Sequence, residues 1–204
     1  MILRYQANAK ELTIPPKQVL RYAGQGTQAP SADLLQLLSS CKMEFLDCAS
    51  CRAAGLEVEI TREEDTLLLG SLSVTSKSLS EHLVGCDRGI LFCATLGGGL
   101  ERLFLRYGKT SPARALLLDA IGSAAIEEWC DRLEEGWTRE AALRGLVLQE
   151  RFSPGYGDLP LAYQAELLAL LCAAQTTGVS ATSGMMLVPK KSVTAIIGLK
   201  KEEI

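Results

Sequence analysis

Ten consecutive residues hold the densest chemistry in this chain: Arg151-Phe152-Ser153-Pro154-Gly155-Tyr156-Gly157-Asp158-Leu159-Pro160. A guanidinium can grip a carboxylate through two parallel hydrogen bonds. Glycine lets the backbone turn tightly and lie close to a ligand, and proline removes freedom from the loop that carries it. Tyr156 can cover an apolar or aromatic part of the same ligand. The same residues also make an ordinary turn at a strand end. A second set lies upstream. Asp119, Ser123 and Glu127 fall at i, i+4 and i+8 within a run of Leu, Ala and Ile, so a helix places them on one face. Uncompensated carboxylates are costly to bury. That face therefore meets either water or a positive ligand.

Other reactive groups are sparse. His82 is the only histidine, which leaves no convincing Ser-His or Cys-His pair for nucleophilic catalysis. The seven cysteines are odd in number and too scattered for a disulfide framework. Cys48-Ala-Ser-Cys51 alone falls short of the four ligands of a structural zinc site. Leu34, Leu35, Leu38, Cys41, Phe45, Cys48 and Cys51 recur at helical steps, and read better as one buried helix face. Gly97-Gly98-Gly99 follows the apolar run 89–95 and precedes a helical pattern. That order can bind phosphate, but neither G-x-G-x-x-G nor the P-loop Lys-Ser/Thr pair is complete. Thr95, at the strand end, is the side chain to follow there. Met185 and Met186 read as core or cleft lining.

Composition bounds the rest. A hydrophobic content of 48% supports a real core, and a net charge of −3 gives no basic footprint for nucleic acid. No apolar run reaches the roughly 20 residues that span a bilayer, and residues 1–10 lack a signal-peptide core. The chain reads as cytoplasmic, with neither nucleic acid nor membrane as partner.

The elements that must position these residues follow from local patterns. Pro15-Pro16 starts a helix over 17–22. A loop spans 24–30, and Ser31 caps a helix running to about Ala53 that Gly55 ends. Residues 56–60 and 66–72 form a hairpin around a charged turn at 62–65. Ser78 and Glu81 have capping-box spacing for a helix over 78–84. A strand over 88–95 and a helix over 100–107 follow. Ser111-Pro112 opens a helix to about Glu134, with a separate short helix over 138–143. A strand over 146–152 leads into the Arg151 loop. An apolar helix over 161–176 precedes strands at 182–187 and 192–198, and the tail at 200–204 frays. The irregular order reads as α+β, with antiparallel strands and packed helices, and not as a Rossmann repeat. Residues 1–204 read as one domain, helical over 1–54, with the main α+β body over 55–204.

Arg151, Gly155 and Tyr156 form Arg-x-x-x-Gly-Tyr, which resembles the S-adenosylmethionine signature of the activation (reactivation) domain of cobalamin-dependent methionine synthase. Gly178-Val179, Thr182 and Pro189-Lys190-Lys191-Ser192-Val193 resemble that family's Gly-Val…Thr-Glu-Ser…Pro-x-x-Ser-Val stretch. The likeness covers about residues 110–200. Ser183 stands where the large enzymes carry Glu, and Gly184 where they carry Ser. The resemblance implies a twisted antiparallel sheet with packed helices. It implies S-adenosylmethionine as cofactor, contacted by Arg151, Ser153, Pro154, Gly155, Tyr156, Thr182 and Ser183, with Asp119 and Glu127 as candidate acidic contacts.

The activity so implied, within methionine biosynthesis, is support for reductive methylation of cobalamin. An electron from a flavodoxin-type donor is trapped by methyl transfer from S-adenosylmethionine. The chain contains no Asp-x-His-x-x-Gly cobalamin motif. The corrinoid is therefore expected on a partner, a methionine synthase or another corrinoid protein. Two other readings stay open. One is a non-catalytic ligand-sensing or structural subunit that has lost this chemistry, motivated by Ser183 and Gly184. The other is an independent small-molecule methyltransferase.

Overall fold

The computed structural model describes residues 1–26 and 29–202. Residues 27 and 28 of the expected loop, and 203 and 204 of the expected frayed tail, lie outside the described residues. The chain runs β1 (Leu3–Ala7), a 3-10 turn (Ala9–Glu11), α1 (Pro16–Tyr22), α2 (Ala32–Cys48), β2 (Cys51–Glu63), β3 (Thr66–Leu69), β4 (Leu72–Val74), α3 (Lys77–His82) and β5 (Cys86–Thr95). It continues through α4 (Gly99–Tyr107), α5 (Pro112–Ala142), β6 (Leu146–Leu148), α6 (Tyr163–Leu170), α7 (Ala173–Thr176), β7 (Ser180–Ala181), β8 (Leu187–Val188) and β9 (Ser192–Lys201). Seven strands make one sheet in the order β4-β3-β2-β5-β9-β6, with β1 along the first half of β2, while β7 and β8 pair separately. Every pairing is antiparallel. The architecture is α+β and is not the parallel sheet of a Rossmann fold.

The near-continuous apolar run of β5 has a simple cause: both faces of the strand are covered. Ile90, Phe92 and Ala94 join a core with α2 and α5, while Leu91 and Cys93 join a second core with α3, α6 and α7. β9 divides in the same way, with Ala195 and Ile197 on the α5 side and Ile196 on the other. Helix α5, 31 residues long, spans about 46 Å at 1.5 Å per residue. Its buried residues run from Leu117 to Ala141, packed against α1, α2 and α4 as well as the sheet.

Several local expectations give way to tertiary contacts. Helix α2 stops at Cys48, five residues early, because Ala49 turns extended and Ser50 N–H bonds Leu96 O. Residues 51–55 then pair with both β1 and β5, so Gly55 lies within a strand and ends no helix. A side chain there would crowd Trp137 and Tyr5, whose atoms lie 3.3 and 3.4 Å from a Cβ built at Gly55. The first 54 residues, expected to be helical, thus supply β1 and the start of β2 to the sheet. β2 also runs on through Glu63, into the expected charged turn, and a tight turn at Gly70 splits the expected 66–72 strand into β3 and β4.

Ser76, not Ser78, caps α3, its hydroxyl accepting from Leu79 N–H at 3.1 Å. The expected break in α5 near Glu134 is absent. Trp137 is buried against Phe92 and Tyr5, with ring centroids 5.2 and 5.7 Å away, and this packing outweighs the helix weakness of Gly136. The strand expected over 146–152 is only Leu146–Leu148 plus a single bridge from Phe152 to Ile196. The apolar helix over 161–176 divides at Cys172, which takes a left-handed φ of 47°. Residues 182–186 form the turn of the β7–β8 hairpin and not a strand. Met186 there is exposed, so it is not part of the core.

Candidate functional site

The Arg151 loop leaves the sheet edge beside β9. Phe152 exchanges both backbone hydrogen bonds with Ile196, at 2.9 and 2.8 Å. Neighbouring side chains of extended backbone point to opposite faces. Phe152 accordingly packs with the α3–α6 core, and Arg151 reaches the acidic face of α5. Beyond Phe152 the chain folds back on itself. Tyr156 N–H bonds Ser153 O, Leu159 N–H bonds Tyr156 O, and Gly155 N–H bonds Leu159 O, at 2.9 to 3.1 Å. Gly155 adopts φ of +94°, a region that disfavours any side chain. Pro154 is buried beneath it, while Tyr156 is 60% exposed with its ring edge-on to Phe152.

Asp158 ties this loop to α3. It accepts from Ser76 Oγ at 2.6 Å, Lys77 N–H at 2.8 Å and Ser78 N–H at 3.0 Å. Those hydrogen bonds hold its carboxyl well below the usual carboxylate range. The anchor lies inside the decapeptide, but its helical partner is about 80 residues upstream, and no local pattern reveals it. His82 is also structural here: its Nε2 lies 2.8 Å from Glu150 O and its ring packs on Phe152.

The expected acidic contacts do not share one ligand position. Asp119 pairs with Lys191 at 2.9 Å, and Ser123 Oγ accepts from the same ammonium at 2.8 Å. Glu127 pairs instead with Arg151, at 3.1 Å. Asp131 also lies 3.1 Å from Arg151 Nη2, and Glu134 Oε1 lies 2.9 Å from Nε. The Glu134 approach lacks hydrogen-bond geometry, so Oε1 is buried without a hydrogen-bond partner, as is Nη1 of Arg151. Sequence reasoning stops the row at Glu127, although Asp131 and Glu134 follow at i+4 and i+3 within the same expected helix. On a single helix they continue the same row. Thr182 and Ser183 sit apart, in the β7–β8 turn. Thr182 Oγ1 accepts from Met186 N–H at 3.1 Å, and Gln164 holds the turn by donating to Met185 O. Among the described residues, neither bonds to the Arg151 loop or to the α5 acids. Thr95 is fully buried and fastens the Gly97 turn by accepting from its N–H at 3.0 Å.

Burial and the neighbouring carboxylates Asp131, Glu127 and Glu150 push Glu134 up to about 7, against the lowering influence of Arg151. In the unfolded chain its value is near 4.5. The folded state therefore holds the proton more tightly. This stabilisation is fully present below pH 4.5 and is lost as pH rises through 7. Glu134→Gln is expected to be neutral at pH 5 and stabilising by about 1–2 kcal/mol at pH 8, after discounting for solvent screening. Urea unfolding at both pH values measures it, and equal effects would show that charging Glu134 costs nothing. Burial pushes the Cys93 and Cys130 thiols up to about 12 and Cys51 to about 11, which makes these three poor nucleophiles. All seven cysteines are free, and Cys48 and Cys51 fall on a helix and a strand. Among the described residues no His, Cys, Asp or Glu cluster has the makings of a metal site, and no helix is long and apolar enough to cross a membrane.

An antiparallel sheet with helices on both faces defines a fold class that solved structures share. The fold matches the MetH reactivation domain bound to AdoHcy, with a TM-score of 0.74 over 100% of this chain and 80% of that one, at 14% identity. The chain has the fold of the methionine synthase reactivation domain. No family model and no curated protein matches the sequence.

Proposed function

We propose that this chain is an S-adenosylmethionine-binding domain that presents its ligand to a corrinoid carried by a partner protein. The observation that carries the reading is the coincidence of two things: the fold of an AdoHcy-bound domain, and an Arg151-x-x-x-Gly155-Tyr156 loop pinned rigidly at the sheet edge. The residues fit such a ligand. Arg151 keeps a buried Nη1 without a partner and would take the ligand carboxylate. The Gly155 turn lets backbone approach the ligand, and exposed Tyr156 would cover it. Asp131 and Glu127, 59% and 41% exposed, leave negative charge facing solvent for an ammonium or sulfonium. The bound ligand supplies an electrophilic methyl group on sulfur. The chain's own part is to orient it and exclude water, which needs no general acid or base. A corrinoid protein as partner, with a flavodoxin-type electron donor, belongs to the same proposal.

Isothermal titration calorimetry with S-adenosylmethionine, and S-adenosylhomocysteine as comparison, tests it. Saturable binding is expected, tighter for the cationic ligand at low salt because the α5 acids outnumber Arg151. Tyr156→Ala should weaken binding roughly three- to tenfold, the scale of one aromatic contact, and lower the melting temperature by only about 1–4 °C through loss of the edge-on contact with Phe152. Absence of binding at millimolar ligand overturns the proposal. One observation favours a second reading, the non-catalytic subunit. Arg151 already faces three carboxylates, an arrangement that holds the loop without any ligand. Association with a corrinoid protein in the absence of S-adenosylmethionine binding would select that reading.

A further inference from the structure

A second guanidinium stands at the end of the sheet where β2 and β9 begin and β5 ends. Register places Gln6, Arg52, Thr95 and Ser192 side by side across β1, β2, β5 and β9. Directly paired residues share a face, so these four form one polar row. Thr95 and Ser192 satisfy each other, their hydroxyl oxygens 2.8 Å apart. Arg52 has no such partner. Its Nε is buried without a hydrogen bond, and among the described residues its side chain enters no ion pair. Two glycine turns close around it. A Cβ built on Gly178 would lie 3.4 Å from both Nη atoms, and one built on Gly97 would lie 3.6 Å from Nη2. Both glycines have positive φ, +78° and +73°, so the space beside the guanidinium is kept clear of side chains. A half-buried arginine with unspent donors is suited to a planar oxyanion, which its fork binds through two parallel hydrogen bonds.

We propose that Arg52, framed by Gly97 and Gly178, anchors a subsite for the carboxylate of a small organic acid, separate from the Arg151 loop. The charge on the far side of the Gly97–Gly98 turn decides between oxyanions. Glu101 accepts from Lys190 N–H at 2.7 Å through Oε1. Its Oε2 is buried without a partner and lies 4.0 Å from a Cβ built on Gly98. A carboxylate there repels a phosphate dianion more than a singly charged acid. The incomplete phosphate motif at Gly97-Gly98-Gly99 thus marks the approach to a carboxylate site.

The test follows the arginine Nε–Hε resonances and the Gly97 and Gly178 amides by NMR, while acetate is titrated at constant ionic strength. The resonance absent from Arg52→Lys identifies Arg52, and Arg52→Gln serves if the lysine variant does not fold. In the wild type these signals should shift saturably, and the two amides should respond at least tenfold more weakly in the variant. Phosphate at equal concentration should shift them less than acetate. No shift, or an undiminished amide response in the variant, overturns the proposal, and a stronger response to phosphate overturns the choice of carboxylate. Saturating S-adenosylmethionine should leave the acetate titration unchanged. Loss of the acetate response would show that Arg52 belongs to that ligand's site. Failure of S-adenosylmethionine itself to bind would count against the proposed function alone, since acetate binding is read independently.

Discussion

Gly99→Ala is expected to lower stability by about 3 kcal/mol, the upper range for forcing atoms into a packed interior. A Cβ built on Gly99 would stand 2.1 Å from Cys48 O and 2.7 Å from Cys48 C. Those are backbone atoms at the end of α2, and a side-chain rotation cannot relieve the clash. The helices must move apart, which also disturbs the Gly97 turn and the Ser50–Leu96 hydrogen bond beside it. For a domain of this size the loss corresponds to roughly 6–12 °C in melting temperature. Gly136→Ala is the matched control. It lies within α5, and a Cβ built there meets nothing within 4 Å, so the substitution should stabilise by about 0.5–1 kcal/mol. Urea and thermal unfolding by circular dichroism measure both. A Gly99 variant within about 0.5 kcal/mol of wild type would mean that α2 and α4 are not tightly packed at this crossing.

Arg151→Ala is expected to weaken S-adenosylmethionine binding by about 2–3 kcal/mol, roughly 30- to 150-fold, if the proposed function holds. Its effect on stability is separate. Removing the guanidinium leaves Glu127, Asp131 and Glu134 facing one another. Two of them reach water, so the cost is about 1–2 kcal/mol. That cost should grow above pH 7, where Glu134 ionises and joins the repulsion. Arg151→Lys separates the two roles. The ammonium keeps the charge balance and most of the stability, but it lacks the planar fork and should still lose affinity. A lysine variant that binds as well as wild type would show that the carboxylate is held elsewhere. Unchanged affinity in both variants would remove Arg151 from the site, leaving it as the clamp between α5 and the edge strand.

Much of the fold is legible locally. Ser31 caps α2 as its hydroxyl predicts, Pro112 opens α5, and the unbroken apolar run of β5 marks a strand covered on both faces. Boundaries failed where a distant partner competed. Ala49 to Ala53 continue a helical pattern that Gly55 would end, yet β1 and β5 offer residues 51–55 a full set of strand hydrogen bonds. The helical pattern breaks near Glu134, yet Trp137 just beyond it is buried against Phe92 and the helix runs on. Cys172 interrupts an apolar run that would otherwise stay helical.

The candidate site divides along the same line. Residue types and spacing alone determined that Arg151, Gly155 and Tyr156 belong to one rigid loop, and that α5 carries a row of acids needing compensation. Only the tertiary structure decided the pairing: Asp119 goes to Lys191, while Glu127, Asp131 and Glu134 go to Arg151. It alone showed Asp158 fastening the loop to α3 and Arg52 left without an acceptor. The reason is physical. Capping and turning depend on neighbours in the chain, whereas the acid that meets a given cation depends on strand register and on how α5 rotates over the sheet. Long-range packing sets both.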